Sequence, residues 1–306
     1  NLTVSGGTAV LQAANQIKNT ANVVVAGGTL DIGANDETVN NVKMTSGALS
    51  GTSGTLTSGT AFDMQGGTAG AILGGTAGLT ASAGTTTLSK VNSYTGTTTV
   101  SGGTLNLSGA LAAAGSLVVS GGTLDLQANT QQFAGVQQTS GTIQNGTLTL
   151  NAGNYDLQGG TVSAVLAGTA GANVSVGTTT LSGSGANTYA GLTTVSGGTL
   201  NLNKTAGTDA IAGNLTVSGG TAVLQAANQI KDTANVVVSG GTLGLGGNSD
   251  TVAGVQMTSG GITGSGGTLT GTTAYDMQGG TVSAILGGTV GLNKTGAGTV
   301  TLSGAN

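Results

Sequence analysis

One short phrase constrains this chain more than anything else in it. Val100–Leu107 reads VSGGTLNL, and near-copies begin at Val4, Val25, Val119, Val195, Val217 and Val238. In each copy apolar residues one apart flank a Gly-Gly pair, the pattern of strand, tight turn, strand. Glycine supplies the positive φ that such a corner needs, and the alternating Leu and Val side chains point to one face. No copy is large enough to bury its own apolar edge, so the copies must stack on one another.

The corners fall at Gly6, Gly27, Gly66, Gly102, Gly121, Gly159, Gly197, Gly219, Gly240 and Gly279. Where the gap between them doubles, a degenerate corner stands midway, at Gly47, Gly141 and Gly260. Strands of the type TTTL (Thr85–Leu88, Thr178–Leu181) and TVTL (Thr299–Leu302) complete the series. The spacing predicts an all-β fold, a right-handed parallel β-helix (β-solenoid) with about 16 coils of roughly 19 residues. Residues such as Val4, Val100, Leu105 and Leu107 are expected to face inward.

The organisation reads as a single continuous β-solenoid over 1–306, a fragment of a longer repeat array. Long-period blocks run approximately 25–118, 119–213 and 238–306, with an inserted duplicate coil at 214–237. The duplication is nearly verbatim, since NLTVSGGTAVLQAANQIK stands at both Asn1–Lys18 and Asn214–Lys231. Leu11–Lys18 carries a helical hint, read as a short excursion from a coil. With no initiating Met and no charged-then-apolar leader, the chain is expected to be a processed piece or a fragment of something longer.

Composition narrows the function. The chain has 61 Gly among 306 residues, no Pro, Cys, His or Trp, and only 5% charged residues. Six Lys, no Arg and a net charge of −4 leave no basic patch, which argues against nucleic acid. Apolar runs such as Leu111–Ala114 are far shorter than the ~18 residues of a membrane span. Without Cys there is no disulfide framework, which fits a protein secreted across an envelope unfolded.

Candidate chemistry is sparse. Asp63, Asp156 and Asp276 occupy equivalent phrases (FDMQGG, YDLQGG, YDMQGG) about five or six coils apart, too distant to share a metal or a substrate at ~4.8 Å per coil. Asp36–Glu37 reads as a solvated loop, and GGNSD at Gly246–Asp250 as a single imperfect echo of a calcium-binding turn. Lys18, Lys43, Lys90, Lys204, Lys231 and Lys294 lack a consistent acidic partner and read as solvating charges. Asn15, Asn35, Asn129, Asn228 and Asn248 are placed to cap corners. Thr-x-Thr pairs at Thr85–Thr87, Thr97–Thr99 and Thr178–Thr180 could present outward hydroxyls, as flat ice-binding ladders do, but skip several coils. Tyr94 and Tyr189, in NSYTG and NTYAG, are weak surface-binding candidates for a glycan, or else close the core at a loop. No cofactor, metal or catalytic residue is expected.

The segment Gly177–Leu202, GTTTLSGSGANTYAGLTTVSGGTLNL, resembles the autotransporter-associated β-strand repeat, also called the passenger-associated transport repeat. Thr85–Leu107 is a shorter version, and Leu292–Asn306 resembles the first half of another copy. The resemblance implies a type V-secreted passenger, extracellular or on the bacterial cell surface, exported through the outer membrane by a barrel. Its expected role is that of a non-enzymatic stalk or fibre segment of an adhesin, able to stack with itself into filaments. The alternatives are an adhesive module for carbohydrate or a host protein, and last a polysaccharide lyase or hydrolase.

Overall fold

In a computed structural model, which describes residues 1–112 and 115–306, the chain is all-β. It forms a parallel β-solenoid of about 16 turns, roughly 19 residues apart. The last two residues of the Leu111–Ala114 run lie outside the described residues. Among the described residues there is no helix, and none is long and apolar enough to cross a membrane. Leu11–Lys18 is turn and bend, because its backbone reaches outside the segment. Asn15 N–H donates to the Asp36 carbonyl (3.3 Å) and Gln16 N–H to the Glu37 carboxylate (2.9 Å).

The chain divides into two compact units, Asn1–Thr149 and Leu150–Asn306, with the division inside the 119–213 block. Each unit repeats one plan. A turn runs along a first face, bends at a glycine corner, runs along a second face, and returns by a third side.

The first two faces are strands in strict parallel register. In the first unit Val4 stands over Val25, Val25 over Met44 and Met44 over Met64, and further on Ala81, Val100 and Val119 stack likewise. In the second unit Val174, Val195, Val217, Val238, Met257 and Met277 form the matching column. All of these side chains are buried. Each buried Val, Leu or Met contributes roughly 1.5–3 kcal/mol, so the columns are the main cohesive term.

The corners show why the phrase is Gly-Gly-Thr. At the Gly121–Gly122 corner the second glycine has φ +60°. A Cβ there would lie 2.5 Å from the Gly103 carbonyl oxygen, and one on Gly121 would lie 2.5 Å from that of Ser101. At this corner the left-handed residue is the second of the pair, and the first is glycine because the turn before it leaves no room. The threonine N–H that follows donates to the second glycine's carbonyl of the preceding turn. Thr104 bonds Gly84 (2.7 Å), Thr123 bonds Gly103 (2.8 Å) and Thr142 bonds Gly122 (2.9 Å). Gly6, Gly66, Gly102, Gly121, Gly159, Gly197, Gly219 and Gly279 lie between a first-face and a second-face strand, whereas Gly27 and Gly240 lie at register shifts inside the continuous strands Asn22–Asp31 and Asn235–Gly246.

The third side is built differently. It has short strands, such as Glu37–Val39 against residues 56–58 and Asp250–Val252 against residues 269–271. Elsewhere side-chain amides add to sparser backbone pairing. Asn92 Oδ1 accepts Leu73 N–H (2.9 Å), and Asn187 Oδ1 accepts Leu166 N–H (2.9 Å). Gln131 bonds both the N–H and the carbonyl of Leu111 (2.9 and 3.1 Å), and Gln229 does the same to Lys204 (2.7 and 3.2 Å). At the corner leading into this side, Asn35, Asn129 and Asn248 donate their amides to Leu11, Leu107 and Leu224 carbonyls (2.8–2.9 Å). Asn15 and Asn228 instead adopt left-handed backbone, φ 56° and 52°.

Gly122→Ala combines a forbidden φ with a backbone clash, and it is expected to cost about 2–4 kcal/mol. Gly6→Ala meets open space and is expected to stay within about 0.5 kcal/mol of the parent. Urea-denaturation midpoints of the two variants check the contrast.

Candidate functional site

The most regular surface lies on the second face. Thr85, Thr104, Thr123 and Thr142 stand in one unbroken outward column in the first unit. Thr178, Thr199, Thr221 and Thr242 do so in the second. Among the described residues their hydroxyls have no hydrogen-bond partner. The corner threonines of the Gly-Gly-Thr phrases thus make a continuous column of single hydroxyls, while the paired Thr-x-Thr ladder still skips coils. The column beside it is mixed. In the first unit it runs Thr87, Asn106, Asp125 and Gln144, so repeated Thr-x-Thr pairs do not form. Asn106 donates to Thr87 Oγ1 (3.4 Å) and Gln144 to Asp125 Oδ2 (2.9 Å). Burial works against the Asp125 charge, but bonds from Gln144, the Gln127 N–H and Asn145 hold its carboxyl below the usual range.

Asp63, Asp156 and Asp276 point outward from the first face. Each accepts from the glutamine two residues on, Gln65, Gln158 and Gln278. Asp63 also pairs with Lys43 at 3.5 Å, a half-exposed contact worth little. Gln256, Thr295 and Gln278 together hold the exposed Asp276 carboxyl below its ordinary range. Within the second unit Asp156 and Asp276 are six turns apart in register, roughly 29 Å at ~4.8 Å per turn. Among the described residues no group of three or more Asp or Glu could hold a metal ion.

Tyr94 and Tyr189 are not on the surface. All six aromatic side chains, Phe62, Tyr94, Phe133, Tyr155, Tyr189 and Tyr275, are at most 3% exposed. The Tyr94 ring packs on Phe62 (centroids 6.3 Å apart), and its hydroxyl shares a hydrogen bond with Thr98 (2.8 Å). Phe62, Leu79 and Thr98 are consecutive in one column, so the tyrosine straps three turns together. Tyr189 repeats this on Tyr155 (6.2 Å) and Thr193 (2.6 Å). Burial pushes both phenols up. Large rings bury much area when polar tips find partners, which is why the loop-closing alternative prevails over a surface platform. The link to Phe62 and Tyr155 was not anticipated, although the similar spacing of the two pairs was visible.

Two further readings are corrected. Glu37 is 1% exposed and inward, because it opens the strand Glu37–Val39, whose first and third residues face the core. Lys204 is likewise buried, its ammonium donating to the Ser182 carbonyl (2.9 Å). Asp250 of GGNSD sits at the position equivalent to Glu37 and is buried as well. The loops near it form an open pocket of about 420 Å³, lined among others by Asp209, Asn228, Lys231, Asp232 and Thr251. The TTTL phrases bring one more surprise. The middle residues, Thr86 and Thr179, face inward with buried hydroxyls that have no partner. Replacing either by Val keeps the shape and removes the unpaired group, so Thr86→Val and Thr179→Val are each expected to stabilise by about 1 kcal/mol. Denaturation midpoints above the parent's check this.

The family model of the passenger-associated-transport-repeat matches at four places, residues 81–107, 102–126, 176–202 and 292–306. Three coincide with the stretches singled out by their Thr-Leu and Gly-Gly-Thr phrases. The fourth, 102–126, had passed as ordinary corners. No curated protein and no solved structure matches the chain. Four stretches of the chain thus match the passenger-associated-transport repeat, and with the β-solenoid they fit an autotransporter passenger domain.

Proposed function

We propose that the chain is a structural stalk or fibre segment of a bacterial surface or secreted passenger, carrying a functional tip rather than a catalytic site. One observation carries this reading above the rest. The residues capable of chemistry or recognition are spent on packing and internal hydrogen bonds: the aromatic rings, the buried Asn and Gln amides, and the three D-x-Q carboxylates. The near-verbatim duplication at Asn214–Lys231 supports it too, since a solenoid turn contacts only its neighbours and can be copied without rebuilding a pocket. A glycan site built on stacked rings finds no exposed ring here.

Self-association is the finer part of the proposal. The uncharged threonine columns offer hydroxyls that both donate and accept, and a net charge of −4 gives little repulsion. Copies associate side by side through the second face.

A stalk has a length dependence and no position dependence. In cells displaying the chain beneath an epitope-tagged tip, removing whole turns is expected to lower antibody access in proportion to the number removed, wherever they are taken. Loss tied to one particular set of turns overturns the stalk and favours a binding module. Sedimentation at increasing concentration is expected to show association in the parent. Thr104→Lys with Thr123→Lys is expected to weaken it at least tenfold, and an unchanged profile excludes the second face as the contact.

A further inference from the structure

The turns carrying residues 204, 229 and 250 hold a buried cation and a buried carboxylate in neighbouring parts of one side of the stack. Lys204, Gln229 and Asp250 are each at most 1% exposed. They are joined one to the next. The Gln229 side chain grips the Lys204 backbone, and the Asp250 carboxylate in turn accepts the backbone N–H groups of Gln229 (2.8 Å) and Ile230 (3.1 Å) through Oδ2. Over residues 225–234 no strand forms: the isolated bridge Ile211↔Ile230 and scattered backbone bonds, such as Ala210 N–H to the Gln229 carbonyl (2.7 Å) and Lys231 N–H to that of Ile211 (3.0 Å), hold the segment together with the Gln229 and Asp250 side chains.

Neither charge is matched. Asp250 Oδ1 is buried without a partner, and Lys204 Nζ reaches the single carbonyl of Ser182 (2.9 Å). The one ion pair among the described residues, Lys43–Asp63, lies elsewhere. Asp232 acts on Asp250 as a like charge, and Lys231 and Asp209 lie on the same pair of loops. Glu37 repeats the arrangement in the first unit, with Oε2 on Gln16 N–H (2.9 Å) and a buried, unpartnered Oε1.

We propose that Asp250 and Lys204 make the segment 225–234 a pH-dependent latch of inverted sense, loosest near neutrality and tighter in both acid and alkali.

The signs follow from burial. Burial pushes Asp250 from 3.8 up to about 6. Its contribution to holding the segment is fully present below 3.8 and is lost as pH rises through about 6. Burial pushes Lys204 from 10.5 down to about 8. Its contribution is present above 10.5 and is lost as pH falls through about 8. Between those two values both groups are charged, desolvated and unpaired, and opening the segment to water relieves both. Most folds are firmest in this range, so the profile separates the latch from ordinary behaviour.

Hydrogen exchange of the Gln229 and Ile230 amides in the full chain, corrected for intrinsic rates, tests it. Protection is expected to be lowest between about pH 6 and 8, and about tenfold or more higher near pH 5. Asp250→Asn is expected to flatten the acid limb and leave the alkaline one, and Lys204→Met to do the reverse. A flat profile in the parent, or an acid limb that survives Asp250→Asn, overturns the proposal. Should either variant fold poorly, NMR titration of the Asp250 carboxyl in the parent decides. A midpoint in the ordinary aspartate range overturns the latch, and one near 6 supports it.

Discussion

Everything in this fold depends on parallel register between successive turns. Side chains alternate across a strand, so a slip of one residue would turn every buried Val and Leu outward. The glycine corners prevent that slip. A carbonyl from the preceding turn occupies the space where a Cβ on Gly121 or Gly122 would stand, and the Thr123 N–H closes the contact on Gly103. Corner and columns therefore specify one another. The glycines set the height at which turns meet, and the apolar columns reward that height alone.

The first two faces were legible in the sequence because their signal is period-two alternation around glycine. The third side was not, and the reason is physical. Its rungs are made by Asn92, Gln131, Asn187 and Gln229, residue types that ordinarily face water. Nothing in composition reveals that an amide will lie inward and imitate a backbone. Parity does carry a trace of it. Asn92, Tyr94 and Thr98 are an even number of residues apart, as are Asn187, Tyr189 and Thr193, and each trio shares the interior. Glu37 escaped for the same reason, being read as half of an acidic pair instead of the first residue of a strand. The threonine columns leave no mark within any one coil, since it is register that unites Thr85 with the corner threonine Thr104.

The polar interior also sets two of the four family-matched stretches apart from the other turns. Residues 81–107 and 176–202 each contain a buried threonine without a partner, an inward asparagine, and a tyrosine strapped across three turns. These features weaken the local core relative to Leu on Leu. Their recurrence marks the turns whose third side is completed by side chains in place of strands.

Hydrophobic columns alone cannot say which turn belongs beside which. Val on Val is equally favourable wherever two copies of VSGGT meet, and a chain that repeats this phrase six times risks pairing the wrong copies. A directional clamp removes the ambiguity. Asn187 grips Leu166 and Ala210, and Gln229 grips Lys204, with distances and donor directions that a displaced turn could not reproduce. An unmade bond in the interior costs about 1–3 kcal/mol, enough to decide between otherwise equivalent stackings. The buried polar groups thus trade some stability for a single order of turns, as a chain built from near-identical parts requires.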